Sequence, residues 1–125
     1  MSEQDITKER LQQYEKLMHL TFPASTRALN SAYESGGPDD AVYLKVEMEK
    51  KDVETFLRNS PFANASLRSD QNPIPNRRDL PWWNPDGAKT FKAGQVLLPS
   101  NGALHMLVDF DDDEKAVVYL TWGKL

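Results

Sequence analysis

Apolar and polar side chains alternate most regularly over residues 41–49, where Val42, Leu44, Val46 and Met48 interleave with Tyr43, Lys45, Glu47 and Glu49. A period of two residues predicts a strand with one buried and one wet face. Over residues 6–20 the period changes. Leu11, Tyr14, Leu17 and Met18 recur at spacings of three and four, with Glu9, Arg10, Gln13 and Lys16 between them. That spacing predicts an amphipathic helix, capped by Ser2 or Asp5 and stopped before Pro23. Residues 26–35 form a weaker strand candidate, closed by the turn sequence Gly36-Gly37-Pro38-Asp39-Asp40. A short helix is expected over 51–59, with Val53, Phe56 and Leu57 on one side and acidic Asp52 and Glu54 in its first turn.

The last third reads as an antiparallel meander. Strands are expected over 89–98, 103–110 and 116–122, joined by Pro99-Ser100-Asn101-Gly102 and by the acidic run from Asp111 to Lys115. The order is then α-β-β-α-loop-β-β-β. Its expected fold is a single α+β domain over residues 1–125, with an antiparallel sheet of about five strands and two helices packed on one face.

Between the two patterned regions, residues 61–87 show neither period. This stretch holds five of the eight prolines and the pair Trp82-Trp83. Loops longer than about 12–15 residues without structure of their own are uncommon in compact domains and usually functional or disordered. Two adjacent tryptophans argue against disorder, because each has a large apolar surface to hide. Arg77, Arg78, Trp82 and Trp83 are the candidate binding residues, since Trp and Arg are enriched among interface residues that dominate binding. The competing expectation is that at least one tryptophan packs on the sheet and pins the crossover; in one such arrangement Trp82 faces inward and Trp83 outward.

Charge refines this picture. The net charge is −4, but residues 61–94 carry five basic and three acidic side chains, while the flanking segments are each net acidic. Five cations spread over 34 positions are too sparse to track a phosphate backbone, so a nucleic-acid partner is not expected. No cysteine is present, which removes disulfides, thiolate metal sites and cysteine nucleophiles. No apolar run approaches the ~20 residues of a membrane span. The acidic start Met-Ser-Glu-Gln-Asp carries no signal pattern, so a cytoplasmic protein is expected as written, with an envelope-anchored form the alternative if a signal segment was removed.

The inventory of catalytic patterns is empty. Counting a calcium loop from Asp109 puts Glu114 where glycine is needed and Leu120 where glutamate is needed; a solvated hairpin turn is expected, with a weak cation site at residues 109–114 the minor reading. His19 and His105 stand apart and lack zinc-ligand spacing. No phosphate loop or nucleophile elbow occurs, so no catalytic residue, metal or cofactor is assigned.

The succession Phe22-Pro23-Ala24-Ser25, Asp40-Ala41-Val42-Tyr43-Leu44, Phe56-Leu57, Trp82-Trp83-Asn84-Pro85 and Val118-Tyr119-Leu120 resembles a loose group of small bacterial proteins of unknown function, many of them lipoproteins. The resemblance supplies no activity, and this chain lacks the signal and lipidated cysteine of the lipoprotein members. The functional expectation is a non-enzymatic protein-interaction domain, monomeric or weakly homodimeric, with an immunity-type inhibitor of a basic toxin as one variant. A small-molecule-binding domain and an envelope lipoprotein domain are the alternatives.

Overall fold

The computed structural model describes residues 7–34, 40–72, 74, 77, 79–99 and 102–124. Along the chain run α1 (Lys8–Met18), β1 (Arg27–Glu34), β2 (Ala41–Glu49), α2 (Val53–Arg58), β3 (Phe91–Leu98), β4 (Gly102–Asp109) and β5 (Lys115–Lys124). The strands form one antiparallel sheet in the order β1-β2-β5-β4-β3, which with two short helices makes an α+β fold. β5 returns from the β3-β4-β5 meander to pair with β2, and this closes the two hairpins into a single sheet. The expected turns at 36–39 and at Ser100-Asn101 lie outside the described residues.

Local chemistry sets the helix limits. Ser2 and Asp5, the expected caps of α1, also lie outside the described residues; Thr7 caps the helix instead, its Oγ1 accepting the Arg10 N–H at 3.1 Å. At the far end His19 turns left-handed, with φ 58°, and the Leu20 N–H returns to the Glu15 carbonyl. α2 is entered through a 3-10 turn at Lys50–Asp52 and left through Ser60, whose hydroxyl donates to the Leu57 carbonyl and accepts the Phe62 N–H.

Even-numbered positions of β2, β4 and β5 (Val42 to Met48, Leu104 to Val108, Ala116 to Leu120) share a buried cluster with Tyr14, Met18, Val53, Phe56 and Phe62. The opposite side differs from the wet face expected from the alternation in β2. Tyr43, Leu107, Tyr119 and Ala93 form a second buried cluster with Ile74 and Trp83, and Tyr43 is only 8% exposed. Residues 61–87 supply its cover. Read from the sequence alone, Lys45, Glu47 and Glu49 mark this face as wet; the chain roofs it with a segment distant in sequence.

That segment wraps the sheet. Phe62 and Leu67 pack in the first cluster, Arg68 and Ala93 exchange two backbone hydrogen bonds of 2.8 Å on the outer side of β3, and Ile74, Leu80, Trp82 and Trp83 then pack in the second cluster. Arg77 reaches Glu34 on β1, the opposite edge. At ~4.8 Å per strand the strap therefore crosses about 19 Å of sheet and returns to enter β3.

Gly102 illustrates how tightly the sheet corner is filled. A Cβ placed there would overlap Nε1 of Trp122 on β5. A methyl group cannot fit without moving the indole. Replacing Gly102 by Ala is expected to lower stability by roughly 1–3 kcal/mol, the usual cost of overpacking. Gly123→Ala, where a Cβ would meet nothing within 4 Å, is expected to change it by less than about 0.5 kcal/mol. Urea denaturation of the two variants checks the contrast.

Candidate functional site

The strap is built from short turns rather than from helix or strand. The Leu80 N–H bonds the Arg77 carbonyl, and the Trp83 N–H bonds the Leu80 carbonyl at 3.0 Å across a turn that has Pro81 in its second position. Asn72 accepts the Ile74 N–H and donates to the Pro85 carbonyl, joining the outgoing and returning limbs. Pro85 opens a 3-10 turn, Pro85–Gly87, and is itself buried. Proline's fixed φ and missing N–H suit such turns.

Trp83 is the centre of the strap. It is 3% exposed and meets Tyr43, Tyr119 and Trp82 edge-on, with ring centroids 5.1, 5.3 and 6.0 Å apart. T-shaped aromatic pairs contribute about 0.5–1.5 kcal/mol each beyond the area they bury. The inward tryptophan is therefore Trp83, and Trp82 is half-buried, the reverse of the Trp82-inward arrangement.

Two polar knots hold the strap on either side of this box. In the first, Lys45 projects from β2 opposite Tyr119 and donates to the Trp82 carbonyl at 3.0 Å and to Asn84 Oδ1 at 3.3 Å. The Tyr119 hydroxyl donates to the same Asn84 oxygen at 2.7 Å, and the Lys45 ammonium lies 5.1 Å from the Tyr119 ring centroid. Burial pulls the Lys45 pKa below its usual value, with the Asp109 carboxylate opposing the shift. Burial, aided by the Asp109 and Asp86 charges, pushes the Tyr119 phenol up to about 12.

In the second knot Arg77 is clamped by two carboxylates. Its guanidinium donates to both Glu34 oxygens at 2.7 and 2.6 Å and to both Asp79 oxygens at 2.9 and 2.6 Å, and it stacks 4.8 Å from the Tyr43 ring. These forked bonds hold the Asp79 carboxyl below the usual carboxylate range. Arg77 is thus a strut between the strap and β1. Arg78 lies outside the described residues.

Beside this strut the strap and the β1 edge enclose a cleft of about 400 Å³, lined by Ala32, Tyr33, Glu34, Asp79, Pro81 and Trp82 among others. Tyr33 is 57% exposed there. Among the described residues no backbone hydrogen bond reaches the outer edge of β1. A second hollow of about 380 Å³ lies at the opposite edge, lined by Ser66, Arg68, Gln71, Asn72, Gly94 and Gln95.

The remaining sequence candidates have structural partners. Asp111 accepts the N–H groups of Lys89 and Thr90, Asp112 those of Glu114 and Lys115, and both carboxyls are held low by these bonds. The Lys50 ammonium bonds the Phe110 and Asp112 carbonyls. Among the described residues no three His, Asp or Glu side chains are gathered to hold a metal ion. Ser25 donates to Asp52 and accepts the Glu49 N–H, tying the start of β1 to the end of β2. His105 is half-buried, and burial lowers its pKa. No helix among the described residues is long and apolar enough to cross a membrane. Lys45, Tyr119, Asn84 and Glu34 escape notice in the sequence because each becomes significant only when the strap is laid across the sheet.

No protein-family model, curated protein or solved structure matches the chain.

The phenol of Tyr119 makes a pH prediction. Its folded pKa lies above the ~10 of an unfolded tyrosine, so the unfolded chain loses that proton first as pH rises. Its contribution is fully present below about pH 10 and is lost progressively toward pH 12. Tyr119→Phe is expected to remove this component. Alkaline titration of stability in both forms, with phenolate absorbance at each pH, measures it.

Proposed function

We propose that this chain is a non-enzymatic protein-interaction domain whose contact surface is the corner where the strap meets β1. The observation that carries the reading is the coincidence of three features there: an outer strand edge without backbone partners among the described residues, the cleft beside Pro81 and Trp82 on the strap side, and Tyr33 standing 57% exposed on the opposite, helix side of the same edge. An extended segment that adds to a strand edge gains main-chain hydrogen bonds, and neighbouring pockets for its side chains supply selectivity. Trp, Tyr and Arg dominate the energetics of such contacts. In this reading both helices cover one face of the sheet and the strap covers the other, which leaves edges and corners as the accessible contact surfaces.

Trp83 and Arg77 then act by holding the strap in place, while Tyr33 and Trp82 meet the partner. The acidic segments on either side of the strap favour a basic partner, as an immunity-type inhibitor would require. The cytoplasm is the compartment of this reading; its envelope counterpart follows from the likeness to lipoproteins. The hollow beside Arg68 and Gln95 favours a second reading, a small-molecule site at the β3 edge, with polar groups converging on a concave surface.

The test uses the immobilised chain and two exposed-site variants, Tyr33→Arg on β1 and Leu97→Arg on β3. A bacterial protein captured by the wild type is purified and its affinity measured against all three. The reading expects Tyr33→Arg to weaken binding about tenfold or more, and Leu97→Arg to leave it unchanged. Loss of no captured protein on Tyr33→Arg overturns it.

A further inference from the structure

We propose that the hollow at the β3 edge holds the C-terminal carboxylate of an extended peptide, whose last residues add to the sheet beside Gln95 and Leu97. This rests on the second reading, of that hollow as a ligand site, and names the chemistry of its ligand.

The edge is open over a short, defined length. Arg68 and Ala93 exchange two backbone hydrogen bonds, so the N–H and C=O of Ala93 point away from β4. These directions alternate along an antiparallel strand, so the N–H and C=O of Gln95 and Leu97 point outward as well. Among the described residues no backbone group bonds them there. β3 pairs with β4 without a bulge from Phe91 to Leu98, and from Gln95 to Leu98 it carries neither a charge nor a proline. The usual devices that blunt an edge are therefore missing from this half of β3. Its outward residues are accessible: Gln95 is exposed, and Leu97 is 74% exposed.

The chain itself closes the other half. Arg68 sits opposite Ala93, and Leu67 lies against Gly94, where a Cβ would come 2.7 Å from Leu67 Cδ2. An added strand must therefore end opposite Gln95. A strand antiparallel to β3 ends there with its carboxylate, and a parallel one with its amine.

The residues that meet this end select the carboxylate. The hollow of about 380 Å³ is lined by Ser66, Arg68, Gln71, Asn72 and Gln95, and none of its described lining residues is acidic. Arg68 bonds Asp70 through Nε and Nη2, which leaves three of its five N–H donors free, and its side chain is 53% exposed. Residues 61–94 carry five basic and three acidic side chains in a chain that is otherwise acidic. In the antiparallel register the last residue of the peptide donates its N–H to the Gln95 carbonyl. The Gln95 N–H donates to one carboxylate oxygen, and the second oxygen is left for Arg68. The third residue from the end exchanges two bonds with Leu97 and covers its side chain, so an apolar residue is favoured at that position. Four backbone bonds and one carboxylate contact on a small surface are expected to give a Kd on the order of 100 µM.

The test is a titration of the ¹⁵N-labelled chain with acetyl-Val-Leu-Val-Thr as the free acid, followed by amide shifts to ~5 mM peptide, well above that Kd. Saturating shifts at Gln95 and Leu97 are expected. The same peptide as its C-terminal carboxamide is expected to bind about tenfold or more weakly, because it loses the charge-assisted bonds. Arg68→Gln is expected to weaken the free acid to nearly the level of the carboxamide while leaving the carboxamide unchanged, a pattern that general damage to the edge would not produce. Equal affinity for acid and carboxamide, or an Arg68→Gln variant that loses both alike, overturns the proposal. So does a peptide that shifts nothing at Gln95 and Leu97. In that case N-acetylthreonine separates the two readings: shifts at Ser66, Gln71 and Asn72 leave the small-molecule site standing without the added strand, and silence removes both.

Discussion

A five-stranded sheet has two faces, and the second face of this one carries Tyr43, Leu107 and Tyr119, which need cover as much as the first. Trp83 provides it. Its indole fills the space between two tyrosines on neighbouring strands and meets both edge-on. The architecture of residues 61–87 follows from delivering that ring. The strap must round the β3 edge, reach across β2 and β5, and return to enter β3, and it does so through short turns fixed by proline and asparagine.

The polar chemistry around the box is bound up in the same task. Lys45 and Tyr119 both donate to Asn84 Oδ1, and Lys45 also holds a strap carbonyl; Arg77 divides itself between β1 and its own loop. Side chains with perturbed pKa values often mark reactive centres, but structural networks perturb them as well. Here the Lys45 and Tyr119 shifts arise where the strap buries them. Removing structural commitments leaves the exposed periphery of the strap, and its junction with β1 is where apolar surface, strand edge and residual negative charge coincide.

The periodic parts of the fold were legible in the sequence, because amphipathic period is set by which face is buried. The period-two alternation over 41–49 and the three-four spacing over 6–20 marked a strand and a helix, and the turn chemistry separated the later strands. The second buried face was not legible. Lys45, Glu47 and Glu49 read as solvent-facing, and only tertiary contact with Trp82 and Asn84 gives Lys45 its role. The bulge at Leu29 in β1, where Ala28 lies opposite Val46 and Asn30 opposite Lys45, was equally hidden, since no glycine or proline announces it. The prominence of the tryptophans was legible; their division of labour was not, because adjacent residues in a turn point apart in a way that only the landing surface decides.

The central claim is that residues 61–87 form an ordered second layer rather than a tether between two structured halves. Backbone ¹⁵N relaxation of the free protein measures it most directly. The account predicts order parameters of about 0.85 at Phe62, Leu67, Leu80 and Trp83, equal to those of β2 and β5. Values below about 0.6 at Leu80 and Trp83, with β2 and β5 still rigid, would contradict it.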